Sequence, residues 1–326
     1  MFFCDLHADT ISKLYEHEEQ LAANNCAVDL NKLRISHYIL QTFALFVKLD
    51  WQNPYQYFLA LLQKFEAEMK LNCHEIGLVK NYDDIINNFR NGRLSALLTL
   101  EEGGIIGDDL KKLVTLYERG VRLITLTWNF ENSLGYPNSH NNHYPYAELN
   151  KGLKPFGIKA IQKMEELGII IDVSHLSDKG FYDVYKNTTR PFVASHSNAR
   201  AICEHPRNLT DEMIKLIVAR KGLIGLNFCP FFLANGAQES RIADMLLHLN
   251  HFKKLNALNY IALGSDFDGI SGILEIKDAS MVYQLVLALR DEGYSEEEIR
   301  KICYKNALDF FKRYFNGSFD INDIML

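Results

Sequence analysis

"GIIIDVSHLSDKGFYDVYKNTTRPFVASH", residues 168–196, holds two apolar runs with one amphipathic segment between them. The first run is "GIIIDVSH" (168–175) and the second "PFVASH" (191–196). Continuous apolar runs suit strands covered on both faces, the usual condition of a parallel sheet. A parallel pair needs a crossover, and 177–186 has the length and pattern of one helix. Each run ends on a Ser-His pair, Ser174-His175 and Ser195-His196. The segment predicts a strand–helix–strand unit with a histidine at the C-terminal end of each strand.

The same rhythm extends in both directions. Further candidate strands are "MFFCDLH" (1–7), "ILQTFALFV" (39–47), "LSALLTLE" (94–101), "VRLITLTW" (121–128), "GLIGLNF" (222–228) and "YIALGSD" (260–266). Helical patterns occupy 55–72, 108–119, 154–167, 210–219, 240–255 and 279–291. Gly120 and Gly168 sit where a helix should stop. Residues 292–316 read as two more helices outside the last strand. Eight strands with helices between them predict an α/β chain folded as a (β/α)8 TIM barrel. Residues 1–326 are read as a single domain with extra C-terminal helices, since barrels of this length are routinely one domain. A doubly wound open sheet is the competing architecture. The longest irregular stretch, 129–152, is expected to be a functional loop over the mouth, with His140 and His143 in it.

Composition narrows the function. Apolar residues make up 48% of the chain, enough for a large core. The net charge is −6 with no basic stripe, so neither nucleic acid nor an anionic membrane is an expected partner. The six cysteines lie far apart without a CxxC pair, which suits free thiols in a reducing compartment. No apolar run reaches the ~18 residues of a membrane helix. No signal peptide fits before residue 4, and "FDINDIML" does not read as a lipid-anchor signal. The expectation is a cytoplasmic, soluble protein.

In a barrel the active site forms at the C-terminal ends of the strands. Five of these ends carry ligand-type groups: His7 and Asp9, then Glu101-Glu102, then His175, His196 and Asp266. His7 and Asp9 are two apart, so on a strand both point the same way and clip one divalent ion. Strand alternation lets only one of Glu101 and Glu102 face the mouth. His175 and His196 would hold a second ion, with that carboxylate between the two. Imidazole and carboxylate without thiolate suit zinc in a hydrolytic site. Taken singly, each piece is ordinary; "SDFDG" alone reads as an Asx-turn. Asp5 is read either as a buried paired acid or as an acceptor that orients a ligand.

As a set, these motifs resemble the membrane (renal-type) dipeptidases, peptidase family M19, among the amidohydrolase-like barrels. The resembling stretches are "DLHADT", "LEEGG", "GVRLITLTWNFEN", "IDVSHLSD", "ASHSNARAICEHPRNLTDE" and "LGSDFDG", in order along the chain. The resemblance implies a homodimeric barrel with two Zn2+ per chain that hydrolyses dipeptides, L,D-dipeptides included, through a metal-bridging hydroxide. It implies His7 and Asp9 on the first zinc, His175 and His196 on the second, and Glu102, immediately before Gly-Gly, as the bridging catalytic carboxylate. It implies Arg207 as the grip on the substrate's C-terminal carboxylate and Asp266 as the acid beside the water. One departure stands out: the family's histidine after the fourth strand is Trp128 here. A different amidohydrolase is the first alternative, opposed by HxD in place of HxH and by the absence of lysine in "VRLITLTW". A non-catalytic metal-binding barrel is the second.

Overall fold

A computed structural model of the chain describes residues 1–138 and 149–317. Its strands in chain order are β1 (Phe3–Asp5), β2 (Tyr38–Phe46), β3 (Ile76–Leu78), β4 (Leu94–Glu101), β5 (Val121–Thr125), β6 (Ile170–Asp172), β7 (Val193–Ala194), β8 (Leu223–Leu226), β9 (Glu239–Ser240), β10 (Ile261–Leu263) and β11 (Ile273–Leu274). The order β2-β1-β10-β8-β7-β6-β5-β4 closes through a direct β2–β4 pairing, and all of these pairs are parallel. That is the eight-stranded (β/α)8 barrel, and it excludes the open sheet.

Chemistry explains the closure. Every residue of β4, "LSALLTLE", is buried, because one face fills the barrel and the other meets the helices. The helix Pro54–Leu71 turns Phe58, Leu61, Leu62 and Phe65 inward. Each such side chain stabilises the fold by about 1.5–3 kcal/mol on burial. The helix Pro155–Leu167 starts with proline, which pre-sets its first turn, and ends on Gly168 at φ 81. Ser177 and Thr210 cap the helices Asp178–Asn187 and Asp211–Ala219 by accepting from the backbone N–H of Gly180 and Met213.

Three features were not in the sequence reading. β3 pairs with the first residues of β4 on the edge whose later residues pair with β5. β9 and β11 form a separate two-stranded parallel piece. Short helices occupy Thr10–Glu16, Leu30–Ile35 and Tyr82–Arg90. At the C-terminal end, Glu296–Arg300 and Asn306–Tyr314 are joined by a π-helical turn at Lys301–Lys305, so one interrupted helix stands where two were expected. All six cysteines are free, and four of them are buried. No helix among the described residues is long and apolar enough to cross a membrane.

Candidate metal centre

Parallel closure brings the C-terminal ends of all eight strands to one mouth, and the expected side chains meet there. His7 Nε2 lies 3.6 Å from Asp9 Oδ2, 3.3 Å from Glu101 Oε2 and 4.0 Å from Asp266 Oδ1. On the other side, Glu101 Oε1 is 3.1 Å from His175 Nε2 and 3.7 Å from His196 Nε2. Glu101 thus turns one oxygen to each half of the cluster. Three overlapping groups have ligand atoms mutually within 4.8 Å: His7 with Asp9 and Glu101, Glu101 with His175 and His196, and His7 with His196 and Asp266. All of these residues are buried.

The structure corrects the choice between the two glutamates. β4 ends at Glu101, which shares the register of Phe46 and Thr125. Glu102 follows in a left-handed conformation, φ 93, that turns its carboxylate away from the histidines. That carboxylate instead accepts from the Trp128 backbone N–H at 2.9 Å, the Gly104 N–H at 2.8 Å and the Asn132 side chain at 2.5 Å. Glu102 clamps the turn after β4 and the segment after β5, and Glu101 takes the place among the clustered ligand-type groups.

The protons can be placed. His175 Nδ1 faces the side-chain amide oxygen Oδ1 of Asn129 at 2.9 Å, so that nitrogen carries the hydrogen. Ser195 Oγ donates to Asp172 Oδ2 at 2.6 Å and therefore accepts from His196 Nδ1 at 2.7 Å. Both Nε2 atoms are left with bare lone pairs, 3.0 Å apart and aimed at the same carboxylate oxygen. Burial, helped by the charges of Arg207 and His7, holds both imidazoles well below the usual histidine range. Neither ring nitrogen of His7 has a hydrogen-bond partner, nor does Asp9 Oδ1. Burial lifts Glu101 to about 8, and Asp9 adds to the rise. Two bare imidazole nitrogens converge on one carboxylate oxygen, and buried acids are crowded together. A divalent cation resolves both conflicts, so the residues fit the metal that the pattern implies.

Asp5 supports the backbone and no ring: its Oδ1 accepts from the N–H groups of His7 at 3.2 Å and Ser265 at 3.0 Å. Asp266 lies at the rim with φ 63, its Oδ2 held by the Asn227 side chain at 2.9 Å. Burial raises it to about 6 against the opposing charge of His7. Arg207 is 1% exposed. Its guanidinium donates to the His196 carbonyl at 3.2 Å and lies 5.1 Å from the Phe232 ring centre. Among the described residues no carboxylate comes within 4.0 Å of it, and its Nε has no acceptor. The mouth is a cleft of about 350 Å³ whose walls include Glu101, His175, Asp266, Trp128 and Phe232. The Trp128 ring sits 6.2 Å from the His175 ring in place of the expected family histidine. His140 and His143 lie outside the described residues.

The sequence points to Glu102 where the structure sets Glu101 against the histidines, and it does not single out Asn129, Ser195 and Asp172 as the groups that orient the rings. Asn129 and Ser195 each lie inside a quoted motif, but neither type is a usual metal ligand, so only the fold reveals their role.

Comparison with known proteins agrees with this geometry. The family model "Membrane dipeptidase (Peptidase family M19)" matches residues 1–316. An uncharacterized protein from the pqqA 5' region of Klebsiella pneumoniae is 34% identical over 232 residues, covering 70% of this chain and 85% of its own. The crystal structure of dipeptidase AC, a metallopeptidase of family M19, superposes with a TM-score of 0.87 at 24% identity, over 98% of this chain and 99% of that one. A metallopeptidase from Rhodobacter sphaeroides, bound to a phosphinate mimic of the dipeptide L-Ala-D-Ala, superposes with a TM-score of 0.86 at 23% identity, over 96% and 99%. At those identities the two structures establish the shared barrel.

Proposed function

The chain belongs to the membrane dipeptidase family, peptidase family M19, and on that premise we propose that it hydrolyses dipeptides at a two-ion zinc centre. The observation that carries the reading is the pair of proton-free histidine nitrogens facing Glu101, with His7 on its other oxygen and Asp9 beside His7. In this reading His7, Asp9 and Glu101 hold one ion, and Glu101, His175 and His196 the other. Two divalent ions so held would lower the pKa of a water and polarise the scissile carbonyl.

The remaining roles fall to the chain itself. Asp266 Oδ1 faces the cluster while Oδ2 is fixed by Asn227. Asp266 takes the proton from the attacking water and returns it to the leaving amine, a task its position facing the cluster suits. Arg207, buried and without a counter-ion among the described residues, takes the substrate's C-terminal carboxylate in a charge-assisted bond. A longer peptide has no carboxylate at that position, so selection for dipeptides follows. Binding of an L-Ala-D-Ala mimic by the similar Rhodobacter sphaeroides protein supports tolerance of a D-residue at the C-terminal position. A homodimer and a cytoplasmic place, the latter in keeping with six free cysteines, belong to the same reading.

The test is a panel of L,L-, L,D- and D,D-dipeptides offered to zinc-loaded protein, with C-terminally amidated analogues beside them. Cleavage of the L,L and L,D free acids and poor cleavage of the amides is the expected result. A protein that holds its metal yet cleaves no dipeptide would instead be the non-catalytic barrel.

A further inference from the structure

Lys48 follows β2 and Arg207 follows β7, and in the ring of strands β2 and β7 are four steps apart in either direction. Arg207 is held at the β7 end by its bond to the His196 carbonyl and Lys48 is two residues past β2, so the two cations stand on opposite sides of the candidate metal centre. On the Lys48 side the cleft is walled by Phe46, Trp51 and Trp128. Phe46 packs edge-on against both tryptophans, with ring centres 5.9 and 4.9 Å away. Lys48 Nζ lies 5.2 Å from the Trp128 ring centre and 5.7 Å from that of Trp51. Such a placement holds the aliphatic stem against the wall and the ammonium at the cleft. Among the described residues no carboxylate comes within 4.0 Å of Lys48, whereas Lys13, the other lysine on the cleft, is paired with Glu16 at 3.4 Å.

We propose that Lys48 is a specificity-determining residue that receives a carboxylate on the side chain of the substrate's N-terminal residue, so that dipeptides beginning with Glu or Asp are preferred. This rests on the dipeptidase reading above. With the C-terminal carboxylate on Arg207 and the peptide bond at the cluster, the N-terminal side chain is directed to the opposite wall. The methylenes of a glutamate lie on the tryptophan faces while its carboxylate meets the ammonium. An apolar side chain in that place would strip water from the ammonium and offer no counter-charge. A lysine side chain would be repelled.

The experiment measures kcat and KM of the zinc-loaded enzyme on Glu-Ala, Gln-Ala, Met-Ala and Lys-Ala, for the wild type, Lys48→Met and Lys48→Glu. The wild type should favour Glu-Ala over Gln-Ala by about tenfold in kcat/KM, carried by KM and weakened by salt. Lys48→Met, which keeps the stem, should bring that ratio to about one, and Lys48→Glu should make Lys-Ala the best of the four. A purely structural role for Lys48 would not invert the order. A wild-type ratio near one, or a ratio that survives Lys48→Met, overturns the proposal. Preference for Met-Ala over Glu-Ala in the wild type also overturns it and gives the wall to apolar side chains. Failure of metal-loaded enzyme to cleave any of the four refutes the dipeptidase reading itself, and the role of Lys48 with it.

Discussion

At the scale of single residues, Glu101 is the group on which both halves of the centre depend, with one oxygen toward His7 and the other toward His175 and His196. Glu101→Gln should lower metal content from about two ions per chain to below one and abolish turnover. Glu102→Gln should leave metal content intact. It should cost stability instead, on the order of 1–3 kcal/mol, because its carboxylate accepts three hydrogen bonds in the interior. Elemental analysis of the dialysed proteins, with urea denaturation of the second, separates the two. Loss of metal in the Glu102 variant alone would restore the assignment made from the Gly-Gly motif. The ambiguity in the sequence has a physical origin. Strand alternation admits one glutamate to the mouth, but the choice depends on where the strand ends. It ends one residue before the motif suggests, because Glu102 adopts a left-handed φ of 93 that glycine usually supplies. No residue type announces that. The convergence of His7, Asp9, His175 and His196, by contrast, was legible because all four stand at strand ends. Arg207→Ala belongs to this scale as well. If it grips the substrate carboxylate, kcat/KM should fall by the equivalent of roughly 2–5 kcal/mol, the scale for losing one partner of a buried charge pair.

At the scale of elements, the helix Ile242–Lys254 is tied to the site by His248. Its Nδ1 accepts from the Ala199 N–H at 3.1 Å, and its Nε2–H donates to the Leu233 carbonyl at 2.9 Å. Burial lowers its pKa from 6.5 to about 4, partly opposed by the bond to Leu233. The folded chain keeps this ring neutral through a range where the unfolded chain protonates it. Its contribution is whole above pH 6.5 and is lost progressively as pH falls toward 4, by roughly 3 kcal/mol in all. His248→Gln should flatten that part of the stability profile relative to wild type, read as urea midpoints at pH 7.5 and 5. An unchanged difference between the two midpoints would show that His248 carries no such charge penalty. The segments that aim the histidines make a second test. Asn129→Ala and Ser195→Ala each free a ring nitrogen and should weaken metal binding about 10–100-fold, measured by competition with a chelating dye. Long elements such as Pro54–Leu71 were legible from their periodic apolar faces. Thr10–Glu16 and Leu30–Ile35 were not, since fewer than two turns of helix carry too little periodicity to read.

At the scale of the whole molecule, barrel closure is what turns five dispersed motifs into one centre. The eight strands were legible because parallel strands covered on both faces are apolar throughout. The closing β2–β4 pair and the added β3 were not, since pairing across the sequence leaves no local mark. A centre made of distant segments also couples metal to folding. Chelator should lower the melting temperature, as each ion at a hundredfold excess over its Kd contributes about 2.7 kcal/mol to the folded state. The most direct test is a titration of chelator-stripped protein with zinc, following dipeptide hydrolysis and bound metal together. It predicts that hydrolysis appears with the metal and reaches its plateau at about two ions per chain. A plateau at one ion, or a protein that binds two and hydrolyses no dipeptide, would contradict it.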